Sequence, residues 1–110
     1  MRPKFNLWLE ADDEVVFSTW RAALLNAVGE TGSISAAAGQ MGVQYRTAWQ
    51  KINEMETRLG VKLVEPQVGG LHGGGAHLTP AAQDYLDKFA RFSEAVERVM
   101  TEKYRETFGA

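Results

Sequence analysis

Residues 32–60 read GSISAAAGQMGVQYRTAWQKINEMETRLG, and this stretch decides the fold. Ser33 is placed to cap a short helix, because its hydroxyl can accept from a free backbone N–H one turn on. The inner positions of that helix are Ile34, Ala37, Ala38 and Met41, spaced i, i+3, i+4, i+7. The alanines from Ala36 to Ala38 let another helix approach closely, Gly42 offers a turn, and Val43 packs beneath it. A second helix opens near Gln44 and runs to Leu59-Gly60, with Ala48, Ile52, Met55 and Leu59 as its buried stripe. At about 100° per residue, Arg46, Gln50 and Asn53 fall on the opposite face. Two short helices about a glycine turn, the second exposing hydrogen-bonding side chains at its start, make a helix-turn-helix pattern.

That exposed face has the chemistry base edges ask for. Arginine offers guanine two donors, and glutamine both gives to and accepts from adenine. Tyr45, Thr47 and Lys51 sit where they can touch phosphates and fix the helix in a groove. Every soluble helix has a polar face, so the face alone decides little. Its company decides more: a capped helix before it, a turn glycine between, and a hairpin after.

Working outward, Leu63 to Gln67 reads as an edge strand, since Pro66 cannot donate to an inner ladder. Five glycines fall in the seven residues from Gly69 to Gly75, and Ala76-His77-Leu78 returns as the partner strand. A phosphate-cradling loop would need a lysine followed by serine or threonine after its glycines, and neither is present. A glycine tip (Gly69, Gly70, His72, Gly73, Gly74, Gly75) suits close approach to a sugar–phosphate backbone; a surface loop is the alternative. Upstream, Phe5, Leu7 and Leu9 alternate with Asn6, Trp8 and Glu10, Ala11-Asp12-Asp13-Glu14 supplies a turn, and Val15-Val16-Phe17 returns. Ser18 caps a helix whose stripe is Trp20, Leu24, Ala27 and Val28, ended by Gly29 to Gly32.

Downstream, Thr79-Pro80 starts the last helix, with proline in the first turn where its missing N–H costs nothing. Ala82, Tyr85, Phe89, Phe92, Val96 and Val99 repeat with 3,4 spacing, the seam of a helix that pairs with another. Leu86, Met100, Tyr104 and Phe108 add a second apolar edge. The pattern favours a dimer through Tyr85, Phe89, Phe92, Val96 and Val99; packing within the chain is the alternative.

Composition bounds the rest. The 110 residues suit one domain, with the helix-turn-helix at about 33–59, a wing at about 61–78 and the C-terminal helix at about 79–108. A 45% hydrophobic content and mean hydropathy of −0.28 fit a folded, water-exposed chain. No run of about 18 apolar residues crosses a membrane, and no apolar leader opens the chain, so a cytoplasmic place is expected. Cysteine is absent, which excludes disulfides and thiolate metal sites. His72 and His77 lack a clear third ligand, so no metal and no cofactor are expected. No nucleophile–histidine spacing or cofactor loop points to an enzyme. Net charge is −2, yet from Met41 to Pro80 Arg46, Lys51, Arg58 and Lys62 face only Glu54, Glu56 and Glu65. Affinity for nucleic acid therefore cannot rest on bulk charge.

Three motifs in order, GSISAAA at 32–38, YRTAW at 45–49 and GGGAHLT at 73–79, resemble the N-terminal DNA-binding domain of ModE-type molybdate-responsive regulators. The helix-turn-helix of that family is similar to that of LysR-type proteins. The resemblance implies a mainly α winged helix-turn-helix with a small β component: an N-terminal hairpin and a long C-terminal helix that forms a homodimer with the first helix. It implies a regulator of transcription that binds double-stranded DNA. It places Ser33 and Ser35 at the start of the first motif helix, Gln44, Tyr45, Arg46 and Thr47 at the opening of the recognition helix, and the glycine tract as the wing. Full-length relatives continue into a molybdate-binding domain, so no molybdate binding is expected of these residues. The family's wing also carries bases near Pro66 and Leu71, where this sequence has none. A protein-interaction module that keeps the fold with little DNA affinity is the alternative.

Overall fold

The computed structural model describes residues 1–67 and 75–109. In chain order it forms β1 (Trp8–Ala11), β2 (Glu14–Ser18), α1 (Thr19–Thr31), α2 (Ile34–Met41), α3 (Tyr45–Leu59), β3 (Val64–Gln67), β4 (Gly75–Leu78) and α4 (Pro80–Phe108). The two sheets are separate antiparallel pairs, β1–β2 and β3–β4.

The hairpin β1–β2 turns on Asp12 and Asp13, both left-handed at φ 52° and 64°. Two consecutive positive φ values match a turn whose twist suits paired strands, and aspartate tolerates the conformation. Glu10 pairs with Val15 but Leu9 pairs with Phe17, so Val16 is an extra residue. This bulge breaks the regular alternation, and neighbours Val16 and Phe17 are both buried, at 6% and 1% exposure, with Phe17 the one that joins the main core cluster. The strand begins at Trp8 rather than Phe5, because its partner ends at Ser18, which turns to cap α1 by accepting from the Arg21 N–H. Phe5 and Leu9 are exposed and only Leu7 packs on the core, so β1 is less buried than its alternation suggests.

Helices α1 to α3 form the centre. Leu24, Leu25, Ala27 and Val28 of α1 pack against Ala37 and Ala38 of α2 and Ala48, Ile52 and Met55 of α3. The small alanine side chains keep α2 close to its neighbours. Trp20 lies outside this core; the buried position beside it is Arg21. Its guanidinium donates to the Glu54 carboxylate at 2.8 Å and to the Lys51 carbonyl at 3.2 Å, which satisfies the buried charge.

Thr79 caps α4 by accepting from the Ala82 N–H, with Pro80 in the first turn. The Thr79 hydroxyl also donates to the Lys62 carbonyl at 2.7 Å, which ties the helix start to the approach of β3. The seam of α4 divides. Ala82, Leu86 and Phe89 are buried within the chain, and Phe89 meets Phe17 edge-on at 5.0 Å between ring centroids, with Tyr85 beside it at 6.1 Å. The expectation that Tyr85 and Phe89 face a partner is therefore corrected: the bulged β2 delivers Phe17 to them. Beyond Phe89 the helix extends past the core, touching the N-terminal segment where the Tyr104 hydroxyl donates to the Met1 carbonyl at 3.0 Å, and Phe92 and Val99 are 48% and 54% exposed.

Candidate nucleic-acid interface

The α2–turn–α3 unit is held by its caps. Ser33 accepts from the Ala36 N–H at 2.9 Å, so its oxygen anchors α2. Gly42 is left-handed at φ 69°, and its N–H together with that of Val43 closes α2 on the Ala38 and Gly39 carbonyls. Gln44 precedes α3 in extended conformation with no side-chain cap bond. Its amide is thus left to the surface, next to the open first turn of α3.

On α3 the stripe Ala48, Ile52 and Met55 is buried to 4% or less, and Leu59 packs at its end. Tyr45, Arg46, Trp49 and Gln50 are exposed on the other side, with Thr47 half-buried. Among the described residues Arg46 has no acidic group in ion-pair range. Ser35 is exposed in the first turn of α2.

Lys51 sits differently from expectation. It lies on the α1 side of α3, 3.7 Å from Glu54, within a cluster that also holds Arg21 and Arg58. Arg58 completes it by pairing with Glu14 at 2.9 Å and donating to the Val15 carbonyl, which straps α3 to the hairpin. The Arg21 hydrogen bond holds the Glu54 carboxyl below its ordinary value, with Lys51 and Arg58 adding to the effect against an opposing push from burial. This cluster is structural, so much of the positive charge counted in the middle of the sequence is neutralised before any ligand arrives.

The wing strands are set beside α3 by two devices. Glu56 accepts from the Leu63 and Val64 N–H groups at 2.8 and 3.1 Å, and the Ala76 N–H donates to the Gly32 carbonyl at 2.7 Å. Gly75 begins β4 opposite Gln67, where a Cβ would lie 3.2 Å from the Gln67 carbonyl oxygen. Between α3 and the wing runs a groove of about 470 Å³, with Trp49, Asn53 and Lys62 among the residues along it. The other wing positions singled out from sequence, Gly69, Gly70, His72, Gly73 and Gly74, lie outside the described residues.

Asn53 lies on the face expected from the helical spacing, whereas Trp49 and Lys62 line this groove without a binding role expected from sequence. The signal was present for Trp49, since it falls about 90° from the centre of the buried stripe on a helical projection. Aromatic identity argues for burial in a linear reading and hides the position.

The model of bacterial regulatory helix-turn-helix proteins of the lysR family matches residues 21–83. The chain belongs to this family. Part of the chain is similar to ModE-type proteins. It is 40% identical over 81 residues to the molybdenum-pterin-binding protein MopB of Rhodobacter capsulatus, covering 74% of this chain and 30% of that protein. It is 37% identical over 89 residues to the DNA-binding transcriptional dual regulator ModE of Escherichia coli K12, covering 81% and 34%. The lysR-family chain thus spans about a third of the length of these relatives. Among solved structures it resembles the DNA-binding domain of CbnR in complex with DNA, at 26% identity and a TM-score of 0.61 over 79% of this chain and 93% of that one. Full-length CbnR complexed with its target DNA gives 27% and 0.61, over 77% and 28%. The fold is the LysR-type winged helix-turn-helix.

Proposed function

We propose that this domain reads a specific double-stranded DNA sequence as part of a transcription regulator, and that it does so as a homodimer. One observation carries the reading most: the first turns of α3 present Arg46 and Gln50 side by side on the face away from the core. Arginine and glutamine are the residues that read guanine and adenine edges in the major groove. Membership of a family of bacterial regulators supports it, as does likeness to a CbnR domain solved with DNA. In this reading Ser35, Gln44, Tyr45 and Thr47 hold phosphates around the base-reading row, and the hydroxyl proton of Ser33 remains available to join them. The glycine-rich wing lies along the backbone beside them. Lys51 contributes less, since Glu54 already faces it.

Pairing falls to the projecting half of α4. Phe92, Ala95, Val96, Val99 and Met100 line one continuous apolar trough there. Two recognition helices related by a two-fold axis would then meet half-sites about one helical turn or a multiple apart. We expect no molybdate site on these residues: an oxyanion needs converging donors, and Arg21, Lys51 and Arg58 turn theirs to Glu54 and Glu14. A protein-interaction module is the second reading, favoured by a net charge of −2 and by a cation cluster already paired.

Gel-shift titration of the purified chain against fragments of its own genome at low salt separates the two. Retention of a few fragments over a background of weak, salt-labile binding is the expected result. Absence of any shift would favour the interaction module.

A further inference from the structure

Along α3, the apolar residues Ala48, Ile52 and Met55 are withdrawn into the core, yet two large rings stay out: Tyr45 at 54% and Trp49 at 49% exposure. They stand one turn apart on the same flank of the helix, at i and i+4. Trp49 borders Arg46 and Gln50 on one side. On the other it edges the groove toward the wing, whose wall includes Ile34, Val64, Pro66 and Ala76. Leaving rings of this size half in water forgoes burial that the rest of the helix achieves. The two rings therefore form an apolar margin along the row of polar base-reading side chains.

Granted the duplex-binding role proposed above, on which this assignment rests, we infer that Trp49, seconded by Tyr45, reads thymine through its C5-methyl group. Thymine alone among the bases presents an apolar group in the major groove. Arg46 rewards guanine and Gln50 rewards adenine, but neither rewards thymine directly. An aromatic margin beside them supplies that missing contact, on the thymine paired with the adenine read by Gln50 or on its neighbour. The two rings are separated by about 6 Å along the helix axis. That is close to two base steps of about 3.4 Å each, so one methyl group, or two separated by a single base, is the expected contact in each half-site.

The experiment takes the tightest duplex recovered by the wild-type chain from a randomised library and replaces each thymine in turn by deoxyuridine, which removes only the methyl group. The wild type should lose about fourfold in affinity at each contacted position, the effect of exposing one buried carbon. The sensitive positions should be one per half-site, or two separated by a single base. Trp49→Ala should bind more weakly and show a thymine-to-uracil ratio near one at those positions, while Arg46→Ala weakens binding and keeps the ratio. A flat uracil scan with the wild type would overturn the assignment and leave DNA binding intact; that scan needs no variant to fold. Retention of the ratio by Trp49→Ala would overturn it too. Recovery of no duplex at all would instead remove the DNA-binding reading and this assignment with it.

Discussion

The two halves of α4 carry the same 3,4 spacing of apolar residues and meet different surroundings. From Ala82 to Phe89 the seam closes on the body of its own chain, where Phe17 supplies the facing ring. From Phe92 to Val99 the same periodicity continues into solvent, with Phe92 at 48% and Val99 at 54% exposure. Periodicity marks a face that seeks a partner, but the partner's identity depends on what the rest of the chain brings within reach. Here the bulge in β2 decides it. It sets Phe17 beside Tyr85 and Phe89, while Phe92 stays half exposed.

The sharpest break of this comparison sets Phe89→Ala against Phe92→Ala. Truncating a buried ring in a packed core costs about 3–5 kcal/mol, and denaturant unfolding at submicromolar concentration should show that loss for Phe89. Phe92→Ala under the same dilute conditions should change stability by less than about 1 kcal/mol, as half-exposed positions away from caps and networks generally do. Equal losses would mean that the projecting half is packed within its own chain.

Assembly reverses the order. Phe92→Asp should abolish self-association at micromolar concentration in sedimentation velocity, because each copy would forgo about 1.5–3 kcal/mol of ring burial and seat a charge in the trough. A wild type that sediments as a monomer would leave the trough without its proposed partner.

A smaller effect belongs to the cations paired around Glu54. Glu54→Gln removes the charge that holds Arg21 and should cost about 1–3 kcal/mol, toward the lower end because the Glu54 side chain is 34% exposed and solvent screens it. Since the folded carboxyl titrates below its ordinary value of 4.5, its contribution is full above that pH. It is lost as pH falls through the lower folded value. Thermal unfolding between pH 6 and pH 3, bracketing about the usual carboxylate range, should therefore decline less steeply in Glu54→Gln. An unchanged slope would show that other carboxylates govern the acid limb.

The sequence and the structure agree most where the signals are local. Ser18, Ser33 and Thr79 each cap the helix that follows, and Gly42 takes the left-handed turn between the motif helices. The glycine-bounded helix pair and the stripe of α3 were legible for the same reason, since both follow from spacing alone. What stayed hidden depends on distant residues. The inward turn of Arg21 needs Glu54 and the Lys51 carbonyl, some thirty residues on, and the same cluster sets Glu54 3.7 Å from the Lys51 ammonium. The division of the α4 seam needs Phe17 from the hairpin. Trp49 was obscured by its own chemistry, as a large ring on a helix that otherwise hides its apolar residues.

The contrast between paired and bare cations bears directly on the base-reading face, because Arg46 is a cation of α3 that the internal cluster does not hold. The most direct measurement is the affinity of wild type and Arg46→Ala for the preferred duplex and for a scrambled duplex of equal length, at one fixed salt concentration. A loss of about 1–3 kcal/mol on the preferred duplex, with little change on the scrambled one, is the predicted result. Equal loss on both would reduce Arg46 to a phosphate contact, and no loss on either would contradict the placement of α3 in the groove.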